Sequence, residues 1–103
     1  MATSRRETLK NMLEHDPAHQ FARFGLAMDY VGTGELSEAV AEFERLLQHD
    51  PNYVAGYFHG GQALEKLGRA DEARQMYQRG LTACTRVGDA HTRSEIQAAL
   101  DLL

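Results

Sequence analysis

The chain has 103 residues, 43% hydrophobic and 25% charged, with 11 basic against 15 acidic side chains and a net charge of -4. This is the composition of one ordinary globular domain, and it lacks the basic excess with which a nucleic-acid binder neutralises phosphates. No apolar run approaches the ~20 residues of a membrane span, and the start, MATSRRETLK, has no apolar signal-peptide core, so the expectation is a cytoplasmic protein.

A few residues at the N-terminus show no ordered pattern. Ser4 with Glu7 then makes a capping box, which opens a helix near 5–15 carrying Leu9 and Met12. Pro17 separates it from a second helix near 18–32, because the residue before a proline avoids helical angles. Leu26, Ala27 and Tyr30 form one apolar face of that helix, and Phe21, Phe24, Met28 and Val31, spaced 3, 4 and 3, form another. Gly32-Thr33-Gly34 ends it, since glycine tolerates the left-handed conformation that closes a helix. The third helix, near 36–49, has a stripe of Leu36, Ala39, Val40, Phe43, Leu46 and Leu47 at helical spacing.

After Pro51 comes a helix near 52–67, which carries Gly60 and Gly61 in its interior. Each interior glycine costs about 1 kcal/mol relative to alanine, so this part reads as the looser one. Gly68 ends it. A helix near 70–86 follows, with Ala70, Ala73, Tyr77, Gly80, Leu81 and Cys84 on one stripe. Thr92 with Glu95 reads as a second capping box, opening a closing helix near 92–102 with Ile96, Ala99, Leu100 and Leu103 on one face. No segment alternates apolar and polar with period two, so the fold class is all-α.

The helices repeat. Leu13-Glu14-His15-Asp16-Pro17 returns as Leu47-Gln48-His49-Asp50-Pro51, and the same offset of 34 pairs Phe24 with Phe58, Gly34 with Gly68, Glu38 with Glu72, Ala39 with Ala73 and Arg45 with Arg79. A period of this length suits a helix-turn-helix unit. The positions Leu26, Ala27, Tyr30, Gly34, Ala39, Phe43 and Pro51, followed by Tyr57, Gly61, Leu64, Gly68, Ala73 and Tyr77, resemble the tetratricopeptide repeat (TPR) motif. The resemblance implies antiparallel helix pairs stacked as a right-handed α-solenoid. It divides a single domain over 1–103 into a half repeat at 5–17, repeats at 18–51 and 52–85, and a capping helix within 86–103 that would hide the face of the last repeat. Two departures stand out: Arg23 occupies a position where the motif has a large apolar residue, and Thr85 stands where a third proline would be.

The same resemblance assigns the second face of the 18–32 helix to a concave groove that holds partner peptides. Its expected lining is Phe21, Phe24, Met28, Val31, Phe58, Gln62 and Glu65, apolar at one end and polar at the other, with the repeat offset setting Phe58 beside Phe24. Three fates remain open for these residues: binding a protein or peptide partner, self-association as a homo-oligomer, or burial within the chain. The lysines and asparagines with which some TPR domains clamp an acidic tail are absent from these positions, and Lys66 and Arg69 read as solvated helix ends. Cys84 stands alone and reads as a packing residue. The five histidines, His15, His19, His49, His59 and His91, form no converging set of metal ligands. No catalytic triad order, phosphate loop or H-E-x-x-H motif is present, so the expectation is a non-enzyme without cofactor.

Overall fold

The computed structural model describes residues 4–103, and the unpatterned residues 1–3 lie outside that range. Among the described residues all regular structure is helical: α1 (Arg5–His15), α2 (Gln20–Gly32), α3 (Leu36–His49), α4 (Val54–Lys66), α5 (Ala70–Val87) and α6 (Ala90–Asp101). Each helix packs on the next, and α4 also packs on α6, in a body of 46 × 29 × 19 Å. The connections are too short for anything but antiparallel neighbours.

The helix ends follow local chemistry. Ser4 Oγ accepts from the Glu7 N–H at 3.1 Å, as the capping box requires. Asp16 and Asp50, the residues before the two prolines, leave the helical region and accept from the Ala18 and Asn52 amides two residues on, at 3.2 and 3.0 Å. Gly34, Gly68 and Gly88 have φ of 76°, 77° and 77° at the three helix-to-helix turns. The last helix starts earlier than its sequence suggests. Its N-cap is Asp89, whose carboxylate accepts from both the amide and the hydroxyl of Thr92, at 2.9 and 2.8 Å. Thr92, expected as the cap, is the residue being capped.

The core is built where small residues let helices approach and an aromatic ring fills the space between them. Ala27, Ala39 and Ala73 are fully buried, as are Phe43 and Tyr77. In the α4–α5 pair the fit is tight: a Cβ built on Gly61 would lie 2.1 Å from the Tyr77 ring. Gly60 is likewise covered, its missing Cβ standing 3.3 Å from the Met76 methyl. The α4–α5 pair is therefore not the loose part that its glycines imply, because tyrosine and methionine occupy the volume that larger residues on α4 would take. At the C-terminal end Ile96 is fully buried, with Ala99, Leu100 and Leu103 packed on the same cluster, so α6 does cover the apolar face of α4 and α5.

The two departures from the motif have a structural account. Arg23 Nη2 donates to the Pro17 carbonyl at 2.9 Å, and its repeat equivalent Tyr57 donates its hydroxyl to the equivalent Pro51 carbonyl at 2.7 Å. Arg93 of α6 makes a third version, its Nε donating to Thr85 Oγ1 at 3.3 Å, where Thr85 replaces the proline. The buried charge of Arg23 is matched by Glu42, with Nη1 to Oε2 at 2.7 Å and both side chains almost covered, at 12% and 11% exposure. Arg45 closes on the other Glu42 oxygen at 2.6 Å. The residues 34 further on are Tyr57, Met76 and Arg79, and there the arginine lies over the tyrosine ring at 5.5 Å. One repeat thus uses an ion pair where the other uses an apolar pair.

Breaking a buried pair leaves one charge uncompensated, whereas replacing both members by apolar residues is often neutral or stabilising. Arg23→Tyr and Glu42→Met should each lower stability by roughly 3 kcal/mol, while the double variant should recover most of the loss. Urea melts of the three variants check this, and losses that simply add in the double variant would show that the two side chains are not coupled.

Candidate functional site

On α2 the residues Phe21, Phe24, Met28 and Val31 fall along one face, and they differ sharply in exposure. Phe21 is 70% exposed. Phe24, Met28 and Val31 are half-buried, packed against the cluster of Ala27, Ala39, Phe43 and Leu46. The two faces expected on α2 therefore overlap: three of these four residues also support the core. Phe24 meets Phe43 edge-on at a centroid distance of 6.2 Å and Tyr53 at 5.3 Å.

Among the described residues Phe24 and Phe58 do not form the ring pair that the 34-residue offset suggests. His59 takes that place, edge-on to Phe24 at 5.7 Å and to Phe58 at 5.3 Å, and stacked over Phe43 at 6.5 Å. The signal was present in the sequence as a double substitution. Residues 34 before His59 and Phe43 are Gly25 and Leu9, and a Cβ on Gly25 would lie 3.3 Å from the Leu9 side chain. The larger pair, histidine on phenylalanine, pushes an imidazole between α2 and α4. Burial lowers the His59 pKa below 6.5, partly opposed by the charge of Glu95 on α6. The ring is accordingly neutral at pH 7.

On α4, Phe58, Gln62 and Glu65 share a face, with Phe58 and Gln62 half-buried and Glu65 exposed. The Glu65 carboxylate is held from below by the Tyr77 hydroxyl. Burial and that carboxylate both raise the Tyr77 pKa, so the phenol remains a proton donor. The sequence did not point to a contribution from α6. His91, Glu95, Ala98 and Leu102, spaced 4, 3 and 4, form one exposed face of that helix, with Leu102 at 88% exposure. His91 Nε2 lies 3.1 Å from Glu95 Oε1. The influence of Glu95 on His59 sets this face beside α4.

A separate open cleft of about 480 Å³ lies between α1 and the start of α2, lined by Thr8, Asn11, Met12, His15, Asp16 and His19. Its two histidines are engaged locally, His15 Nδ1 with the Asn11 carbonyl at 2.9 Å and His19 Nδ1 as acceptor from the Ala22 amide at 3.1 Å. Among the described residues no group of three or more His, Cys, Asp and Glu converges for a metal, and no helix is long and apolar enough to cross a membrane.

A family model described as tetratricopeptide repeat matches residues 8–86. A TPR repeat-containing protein of Pseudomonas aeruginosa is 31% identical over 94 residues, covering 91% of this chain and 90% of that one. The solution structure of a tetratricopeptide repeat domain protein from Salinibacter ruber is 36% identical with a TM-score of 0.76, covering 82% of this chain and 86% of that one. The TPR2B domain of yeast Sti1, solved in complex with an Hsp70 peptide, superposes with a TM-score of 0.86 at 18% identity, over 92% of this chain and 76% of that one, a likeness of fold alone.

The His59 cluster has a pH consequence. A base whose folded pKa is depressed takes up its proton more readily when unfolded, so its contribution is complete above pH 6.5 and is lost as the pH falls through that value toward the folded pKa. Glu35, held low by Thr33 and Arg6, and Asp89, held low by Thr92, titrate below this window. Urea midpoints measured at pH 7.5 and 5.5 should fall in the natural chain and fall less in His59→Phe. Equal falls would show that the ring is not neutral by burial.

Proposed function

We propose that this chain, which belongs to the tetratricopeptide repeat family, is a non-catalytic protein-interaction module that receives a partner segment on the concave groove formed by α2 and α4. Members of this family are generally protein-interaction modules. The observation that carries the reading for this chain is Phe21, an aromatic side chain 70% exposed at the head of a row whose other members, Phe24, Met28 and Val31, are anchored in the core. An exposed aromatic on a rigid apolar floor is the arrangement in which binding energy concentrates. Phe58, Gln62 and Glu65 extend the same surface on α4 with increasing polarity. The peptide complex of the yeast neighbour, a relative in fold, supports the same use of such a surface.

A second reading, self-association through the same face, is favoured by Leu102, which is 88% exposed on α6. Sedimentation across concentration separates the two, since self-association gives a dimer that strengthens with concentration.

Phe21 makes the decisive variant because its removal costs the fold little. Phe21→Glu should melt within about 0.5 kcal/mol of the natural chain, as surface substitutions do, and should weaken partner capture by at least about thirtyfold, the equivalent of a ~2 kcal/mol anchor. Phe43→Ala should instead cost about 3–5 kcal/mol of stability. Undiminished capture by Phe21→Glu would rule out this face as the working surface.

A further inference from the structure

Resting on the proposed α2–α4 receptor face, we infer that its occupant is an extended peptide combining an apolar anchor with a cation. An aromatic or aliphatic side chain packs on Phe21, Phe24 and Met28, and a lysine or arginine about four to six residues along lies over Glu65 and Glu95.

The argument is one of charge left over. Most of the ionic side chains of this chain are already matched. Arg6 pairs with Asp29 at 2.6 Å and Glu35 at 3.1 Å, Arg23 and Arg45 with Glu42, Arg69 with Glu72, Arg74 with Asp71, and Arg79 with Glu44. Glu65 is different. Its partner is the neutral hydroxyl of Tyr77, which fixes the carboxylate without cancelling its charge. Glu95 meets only His91, on an exposed face. The cations nearby do not balance the two carboxylates. Lys66 follows Glu65 directly and is turned about 100° around the helix from it, and His59 is neutral within its aromatic cluster. The face therefore runs from an uncharged apolar end on α2 to a negative end on α4 and α6.

The spacing follows from helix geometry. Glu65 lies seven residues beyond Phe58, which is about 10 Å along α4. Neighbouring packed helices stand about 8–10 Å apart. The path from Phe24 diagonally to Glu65, or straight across α4 to Glu95, is then roughly 13–20 Å, the reach of four to six extended residues. Long-range attraction to such a face speeds encounter and weakens with salt.

A random twelve-residue peptide phage library, panned on the full chain, on Phe21→Glu and on the double variant Glu65→Gln with Glu95→Gln, tests this. Glutamine keeps an acceptor for the Tyr77 hydroxyl, and thermal melts confirm that each variant is folded. The natural chain should select peptides with an apolar residue and a lysine or arginine four to six positions apart. The double glutamine variant should keep the apolar residue and lose the basic one, and a selected peptide should bind it roughly tenfold more weakly. Selection of acidic or uncharged peptides, or a basic preference unchanged by the glutamines, overturns the inference while leaving the receptor face intact. Equal selection by Phe21→Glu, or no selected peptide at all, overturns the receptor face itself. A dimer by sedimentation that disappears in Phe21→Glu assigns the face to a second copy and overturns the peptide.

Discussion

At the middle of each helix pair an aromatic ring sits in a space that exists only because the facing helices carry nothing larger than a methyl group. Phe43 is fully buried among Ala27, Ala39 and Leu46, and Tyr77 is fully buried with its ring where a side chain on Gly61 would be. This fit of ring against small residue sets the distance between the helices, and that distance fixes which residues of α2, α4 and α6 lie at the surface. Protein cores are packed as densely as organic crystals, so a methyl group added at Gly61 could not be absorbed by a small shift: at 2.1 Å it would overlap the Tyr77 ring outright.

Much of this was legible in the sequence. Helix number, the proline and glycine boundaries, the buried alanines and the covering role of α6 all follow from periodicity and a 34-residue offset, because those positions obey rules that act on one residue at a time. What escaped was pairwise. Arg23 looks like a defect in the motif until Glu42 is set against it, and Gly60 and Gly61 look like weak points until Met76 and Tyr77 are. His59 was read as one of five unremarkable histidines, although the pair Gly25 and Leu9 had become His59 and Phe43 one repeat later. The start of α6 was misplaced for a similar reason: Thr92 and Glu95 have the spacing of a capping box, but Asp89, three residues upstream, is a better acceptor and holds both polar groups of Thr92.

The α6 helix also shows how the repeat pattern can fade from view while its contacts persist. Arg23 and Tyr57 are 34 apart, but the third residue of this kind, Arg93, lies 36 beyond Tyr57. With threonine instead of proline at 85, α5 continues to Val87 and ends at Gly88 in the left-handed conformation. The two additional residues shift α6 out of register with the motif. Even so, Arg93 reaches back to Thr85 as Arg23 reaches Pro17 and Tyr57 reaches Pro51, and Ile96 closes against Gly80 and the Tyr57 side chain, as its 2.8 Å approach to a Cβ built on Gly80 shows.

Changes at the surface are tied to changes in the core by the same logic. Val31 on α2 stands above Phe43, and both are apolar. At the equivalent positions Glu65 stands above Tyr77, and the added hydroxyl donates to the added carboxylate. Neither substitution is comfortable alone. A buried phenol without an acceptor forfeits the hydrogen bonds it had in water, and a long carboxylate at the surface would wander among rotamers at an entropic cost if it were to act at one place. Made together, they give a satisfied core and a carboxylate fixed in position. The chemical character of this face can therefore vary from one helix pair to the next without disturbing the stack, provided that the residue beneath changes with it. The polarity gradient from α2 to α4 records one such coupled change.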